Sequence, residues 1–529
     1  MPGSPIGLTT LGSLSIFLQA ASAIAAPSCE QASGIALPGL TVTSVVHVDA
    51  GKLDLKDLPA EAKDLPAFCR VVGTINPRPK SEIRFETWLP DDWNGRYLQA
   101  GNGGFAGSIA YGGLIAGLKN KFAVTNQDGG HRSEGADMSW ALQSSEILED
   151  FGNKALYETA KVSKELVAAF YGKPAHHSYF SGCSDGGRES LMSLQRYPEQ
   201  FDGWVVGAPE NDFTRELSSE LVLTQTSRLA KKRWTSQHLG LVAQQSREQC
   251  DLKDGVKDGI VSDPRDCSPD IDAMVCKANG TAGCLPSDVA AAVKASYRGL
   301  PGSKSHPPLN GLEYVKGAED DPDGWSTWMS DVDGKGAGWH EPYAQEYFGN
   351  FVYNNKKLDL STLDPAKAYK DAFDKASRHV DAIDTDLSRQ RAAGKKVLQF
   401  HGWSDVGIPV AASIDYYTEV EKDAGGSITD FYRLFLAPGV GHCGGGPGPN
   451  YFGQTSDAHT PFDPSHHVLA AVVAWVEKGQ APDSIIATKH KNNDPASAIE
   501  MQRPICVFPK VTRYKGAGSP KDAGSFECQ

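Results

Sequence analysis

Apolar and polar positions fall into two rhythms along this chain. Ile83-Arg84-Phe85-Glu86-Thr87-Trp88-Leu89 alternates with period two, the pattern of a half-buried strand. Phe122-Ala123-Val124-Thr125, Trp204-Val205-Val206, Val397-Leu398-Gln399-Phe400 and Tyr432-Arg433-Leu434-Phe435-Leu436 are short apolar runs that end in loops of Asp, Gly or Pro. Helix-like stretches lie between them, residues 144–170 and 466–478 among them. Strands alternating with helices predict a largely parallel sheet covered by helices, an α/β fold. From about residue 210 to 391 the rhythm fades into a segment rich in Asp, Gly and Pro, with four cysteines and few apolar strand runs. The expectation is a discontinuous core domain, residues 26–209 and 391–529, carrying an irregular inserted lid, residues 210–390. No internal repeat or long low-complexity linker interrupts it.

The first 25 residues carry no charge, and the apolar run from Leu11 to Ala21 ends in Ala23-Ile24-Ala25, a small-x-small cleavage signature. Residues 1–25 therefore read as a signal peptide, although the usual Lys or Arg at its start is missing. The run is too short to span a membrane, and no later stretch is long enough. The expected location is extracellular. Ten cysteines, an even number, fit disulfides in an oxidising compartment, and the absence of Cys-x-x-Cys leaves little support for zinc. Hundreds of pairings remain open, though 250 and 267, 276 and 284, and 506 and 528 are near neighbours. Asn279-Gly280-Thr281 is a glycosylation sequon. With 52 Lys+Arg against 65 Asp+Glu, a net charge of −13, the 529-residue chain lacks the basic footprint of a nucleic-acid binder. Its one compact basic run, Lys231-Lys232-Arg233, reads as a solvated helix face.

Ser181-Gly182-Cys183-Ser184-Asp185-Gly186-Gly187 follows the strand-like His177-Ser178-Tyr179-Phe180 and precedes a helix-like stretch, residues 188–196. Strand, Gly-x-Ser-x-Gly and helix in this order form the nucleophile elbow of an α/β-hydrolase fold, with Ser184 raised above the sheet. A serine hydroxyl is a weak nucleophile near neutral pH and needs a base, which in turn needs an orienting carboxylate. In this fold the chain order is Ser, acid, His. Asp405 stands in the loop after Val397–Phe400, and His442 in the glycine-rich loop after the 432–436 run. His401 is a competing base, but it precedes the carboxylate. For the oxyanion, Asp185 supplies one backbone N–H by position, and Gly101-Asn102-Gly103-Gly104 supplies the second, with Gly104 favoured.

A second constellation lies in the insertion. Cys250-Asp251-Leu252-Lys253-Asp254-Gly255-Val256-Lys257-Asp258-Gly259-Ile260 sets three carboxylates among glycines, with the carbonyls of Val256 and Ile260 able to complete an oxygen shell. The spacing is not that of an EF-hand. The mutual repulsion of Asp251, Asp254 and Asp258 calls for neutralisation by a cation or by solvent.

Together these residues resemble the tannase and feruloyl esterase family. The matching pieces are Gly182–Gly187, Asp405 in its His-Gly-x-x-Asp loop, His442-Cys443 before a glycine-proline stretch, the Asp251–Ile260 loop, Gly101–Gly104 and Arg513-Tyr514-Lys515-Gly516. The resemblance runs from about Cys29 to Cys528, apart from residues 290–390 or so in the lid. It implies a Ser184–Asp405–His442 triad, an oxyanion hole from Asp185 and Gly104, and a structural calcium held by Asp251, Asp254, Val256, Asp258 and Ile260. It also implies disulfides Cys29–Cys69, Cys183–Cys443, Cys250–Cys267, Cys276–Cys284 and Cys506–Cys528. Fungal relatives often carry a sixth bridge, which ten cysteines cannot supply. No organic cofactor is implied.

The function expected on this basis is a secreted serine esterase acting on small or polysaccharide-linked phenolic esters. Hydroxycinnamoyl esters are favoured over the galloyl esters of tannins. The rivals are a protease with the same triad and an inactive carbohydrate- or calcium-binding module, against which the complete set of Ser, Asp and His weighs.

Overall fold

A computed structural model of the chain describes residue 3 and residues 28–529, apart from 56–57, 59, 232–233, 278–282, 303–310, 315, 322 and 455. The leader, all but Gly3, and the Asn279 sequon lie outside the described residues. No helix among the described residues is long and apolar enough to cross a membrane.

Nine strands form the central sheet: β1 (Leu40–Val48), β2 (Phe68–Ile75), β3 (Ile83–Pro90), β4 (Arg96–Ala100), β5 (Ala123–Gln127), β6 (His177–Cys183), β7 (Gly203–Gly207), β8 (Lys396–Gly402) and β9 (Tyr432–Ala437). Their spatial order is β1-β2-β3-β5-β4-β6-β7-β8-β9. The pairs from β5 through β9 are parallel, whereas β1, β2, β3 and β5 pair antiparallel. Parallel strands are covered on both faces, which is why the sequence shows them as unbroken apolar runs. Successive residues feed opposite faces: Phe180, Trp204, Val397 and Leu434 enter one hydrophobic core, and Tyr179, Val205, Leu398 and Phe435 the other.

This is the α/β-hydrolase arrangement expected. β7 and β8 are adjacent in the sheet, yet 188 intervening residues separate their ends, numbers 208–395. That inserted stretch differs from the irregular segment read in the sequence. It holds the helices Phe213–Leu229, Ser236–Cys250, Ser287–Arg298 and Pro365–Val380, with hydrophobic clusters around Phe213, Leu217 and Tyr347 and around Trp234, Val289 and Trp325. The helix Phe213–Leu229 buries 14 of its 17 residues, including Arg215, Glu216 and Glu220. A helix buried on every side, and partly by polar groups, leaves no amphipathic stripe to read.

Candidate active site

The elbow is built from backbone constraint. Ser184 sits between β6 and the helix Asp185–Arg196 with φ 64° and ψ −125°, a conformation a non-glycine residue adopts only when its surroundings enforce it. Neighbouring glycines make the turn possible: a Cβ on Gly182 would stand 2.2 Å from the Gly186 carbonyl oxygen. Asp185 opens the helix, so its amide has no intrahelical acceptor and remains available to a substrate oxygen.

The early glycine loop is clamped onto this helix. Gly186 N–H donates to the Asn102 carbonyl (3.0 Å), and Gly101 N–H to that of Ser181 (2.9 Å). The buried Glu189 carboxylate accepts from Asn102 N–H (2.8 Å), the Asn102 side-chain amide (3.3 Å) and the Gln127 amide (3.1 Å). Burial and the nearby Asp185 push the Glu189 carboxyl up to about 8. Gly104 turns at φ 56° under the Tyr343 hydroxyl, where a Cβ would come within 2.7 Å of that oxygen. Arg188, fully buried, donates to Asp185 Oδ1 (2.6 Å) and to the carbonyls of Gly152 and Phe151, with its guanidinium over the Phe151 ring. Glu189 and Arg188 were not singled out in the sequence. The available signal was position: both lie within one turn of Asp185, on a helix whose inward face is packed.

Asp405 and His442 come together at the ends of β8 and β9. His442 Nδ1 lies 2.9 Å from Asp405 Oδ2, and Ile408 N–H donates to Oδ1 (3.0 Å). Gly402 lets the two loops meet, since a Cβ there would be 2.1 Å from the Val440 carbonyl oxygen. Burial alone would raise the Asp405 carboxyl. The charge of His442 and hydrogen bonds from His401 and His442 outweigh that and hold it well below the usual carboxylate range. His401 cannot serve as the base: it is fully buried and both ring nitrogens are engaged within the core.

The Cys183–Cys443 bridge, with Cα atoms 5.9 Å apart, ties the residue before Ser184 to the residue after His442. Ser184 and His442 line one cavity of about 800 Å³ with Gly101 to Gly104, Glu210, Glu220, Trp328, Trp339, Tyr343 and Ile408. The Trp328 and His442 rings meet edge to face at 5.4 Å. No hydrogen bond joins Ser184 to His442; Nε2 lies 3.8 Å from Cys443 Sγ. Contacts between a nucleophile and its base commonly tighten only when substrate binds. All five disulfides expected from the resemblance are formed.

A sequence model of the tannase and feruloyl esterase family matches residues 69–529. The chain belongs to this family. It is 34% identical to an uncharacterised esterase of Xanthomonas campestris pv. campestris, over 99% of this chain and 95% of that one. It is 33% identical to a probable feruloyl esterase B of Aspergillus clavatus, over 93% and 94%. The crystal structure of feruloyl esterase B from Aspergillus oryzae superposes with a TM-score of 0.85 at 31% identity, covering 95% of this chain and 99% of that one. This family member is a carboxylic ester hydrolase with an α/β-hydrolase fold.

The Asp251–Ile260 loop lies against the His442 loop, with the Ile260 side chain beside Gly439. Asp251 accepts from Asp258 N–H (3.1 Å) and Gly259 N–H (2.9 Å), and Asp254 from Val256 N–H (3.1 Å) and Ser262 Oγ (2.5 Å). Asp258 pairs with Arg503, and Arg513 donates to the Lys253 carbonyl. Burial and the neighbouring Asp258 raise the carboxyls of Asp251 and Asp254. Backbone amides take both oxygens of Asp251, and an amide and the Ser262 hydroxyl those of Asp254. Among the described residues, the set of three His, Cys, Asp or Glu ligand atoms that does converge is His176, His177 and Glu477, and there Arg96 already occupies the Glu477 carboxylate.

Proposed function

We propose that this protein is a secreted serine esterase that releases ferulic, p-coumaric and caffeic acids from plant cell-wall polysaccharide esters through an acyl-enzyme. The observation that carries the reading is the shared cavity: Ser184 on its left-handed elbow and His442, hydrogen-bonded to Asp405, open onto the same aromatic-walled space. Ser184 Oγ attacks the ester carbonyl while His442 takes its proton, and Asp405 holds the ring with Nδ1–H toward the carboxylate and Nε2 toward the serine. The amides of Asp185 and Gly104 receive the oxyanion. His442 then returns the proton to the departing alcohol, and water repeats the sequence on the acyl-enzyme.

Trp328, Trp339 and Tyr343 support a planar aromatic acyl group, and the relatives named feruloyl esterase B support hydroxycinnamoyl over galloyl. Five disulfides and the apolar leader support secretion. The acidic loop supports a structural calcium held by Asp251, Asp254 and Asp258 with the carbonyls of Val256 and Ile260. Its buried carboxylates carry more negative charge than Arg503 offsets, which suits a hard dication. The ion would neutralise that charge and take no part in the reaction. Initial rates on methyl ferulate, caffeate, p-coumarate and gallate, with wild type and Ser184→Ala in parallel, test the assignment. Turnover lost in the mutant and a cinnamate preference are expected. A gallate preference would make it a tannase, and full turnover in the mutant would remove the serine mechanism.

A further inference from the structure

His401 is one of the most completely engaged side chains in the molecule, and the reaction above leaves it without a role. Its Nε2 lies 3.0 Å from the Ile408 carbonyl oxygen and 3.2 Å from Asp405 Oδ2. Two acceptors facing one nitrogen require that nitrogen to carry the proton. Its Nδ1 lies 2.8 Å from Ser413 Oγ. Ser413 Oγ in turn receives the Gln399 side-chain amide at 2.7 Å, and Gln399 Oε1 accepts from the Tyr432 hydroxyl. Tyr432 is a buried phenol whose proton burial holds in place, so it enters the chain as a donor. With its acceptor face filled by Gln399, Ser413 gives its own proton to His401 Nδ1. The bonds thus run in one direction, Tyr432 to Gln399 to Ser413 to His401, whose Nε2 bonds the Ile408 carbonyl and makes an ion-pair contact with Asp405 Oδ2, the oxygen that receives His442. Every member has less than 2% of its surface exposed, so water cannot substitute for a missing link.

We propose that His401, held in its Nε2–H tautomer by Ser413 and Gln399, is the positioning residue that fixes the Asp405 carboxylate for His442. The proposal rests on the serine-esterase reading above. With only His442 and the Ile408 amide as donors, the buried Asp405 carboxylate would be held by a single bond at each oxygen, and Oδ2 by the mobile catalytic ring alone. The third donor, placed on Oδ2, sets the plane in which His442 Nδ1 must lie. It also draws charge from Oδ2 and so moderates the pull of Asp405 on the His442 imidazolium. Also facing Asp405 or His442 are His340 and Tyr314, both from the insertion and both buried, and the carboxylates of Glu210, Glu220, Asp323 and Asp457 line the cavity with His442.

Three variants test this. In His401→Asn the amide takes the place of Nδ1 and cannot reach Asp405, whereas in His401→Gln it takes the place of Nε2 and can. Ser413→Ala leaves the ring in place but releases its tautomer. Expected for His401→Asn is a kcat lower by about ten- to a hundred-fold, the cost of a misplaced catalytic group. KM should stay within two-fold, and the acid limb of kcat/KM should move to higher pH, because Asp405 then holds imidazolium more strongly. Ser413→Ala should move both in the same direction by less, and His401→Gln should restore most of the rate. A purely packing role would lower thermal stability and leave the acid limb in place. Folded His401→Asn and Ser413→Ala with wild-type kcat and acid limb would overturn the proposal, and if His401→Asn does not fold, Ser413→Ala alone decides. Ser184→Ala, assayed alongside, separates the two ideas. Its loss of turnover with unchanged His401 and Ser413 variants sinks only the positioning role, and its retention of turnover sinks the serine mechanism itself.

Discussion

Removing the Cys183–Cys443 bridge should cost rate as well as stability, and the two costs can be separated. The perturbation is Cys183→Ala with Cys443→Ala, compared with Cys506→Ala with Cys528→Ala. The first bridge closes a loop of 260 residues and the second a loop of 22. Loop-closure entropy then gives about 5.6 kcal/mol for the first and about 3.4 kcal/mol for the second. Spread over the unfolding entropy of a chain this long, these correspond to falls in Tm of about 5 °C and about 3 °C. Stability alone therefore barely distinguishes the two pairs. Catalysis should: Cys183 and Cys443 flank Ser184 and His442, whereas the Cys506–Cys528 bridge joins the strand Ile499–Cys506 to Phe526–Cys528 at the C-terminal ribbon. Without the nearer bridge the His442 loop keeps the Gly402–Val440 contact and the Asp405 bond but loses its covalent tie to the elbow. At a temperature where circular dichroism shows both variants folded, kcat on a methyl cinnamate ester should fall about ten-fold or more for the first pair and stay near wild type for the second. Equal kcat in the two variants would refute the reasoning, because the bridge would then be shown to contribute chain entropy and nothing to alignment.

Glu189→Ala should release Asn102 and the glycine loop from the elbow helix and lower kcat about ten-fold or more with little change in KM, as expected when an oxyanion donor is displaced; steady-state kinetics check it. Buried His131, His467 and His340, with pKa values lowered by burial to about 4, 4 and 3, make a destabilising contribution as pH drops from about 6.5 toward 4, opposed in the same window by carboxyls that burial raises, such as Glu189 to about 8 and Asp212 to about 7. The unfolded chain binds the histidine protons and the folded one does not, so the histidine contribution favours unfolding on acidification, whereas the raised carboxyls bind protons first in the folded chain and favour folding. His340→Phe should remove that residue's share, so that its Tm relative to wild type is higher near pH 4.5 than at pH 7, as thermal scans at the two pH values would show. Chelation should lower Tm in a scan, with calcium restoring it, because the ion would bind only the folded loop; activity of chelated protein that remains folded should be unchanged.

The part of this protein legible in the sequence is what short stretches of chain dictate locally. The elbow at Ser184 is a matter of consecutive residues, where glycines must stand because backbone passes within 2.2 Å of where a Cβ would be. The parallel strands announce themselves as apolar runs because they are covered on both faces. The order Ser184, Asp405, His442 follows from strands ending where loops begin. The tertiary structure decided what depends on neighbours remote in the chain. The insertion proved helical, and its longest helix, Phe213–Leu229, went unread because other segments of the insertion and the core enclose it, which erases the amphipathic period. His401 was a rival base in the sequence and became a buried donor once Ser413 and Ile408 were packed around it. Glu189 holds a loop 87 residues away, and nothing local to Cys183 marks Cys443, 260 residues on, as its partner, a pairing that the family resemblance and not the residues themselves supplied. Contacts of that kind carry no local signature, because each residue alone is compatible with many partners. Burial selects among them by removing the water that would otherwise satisfy the rest.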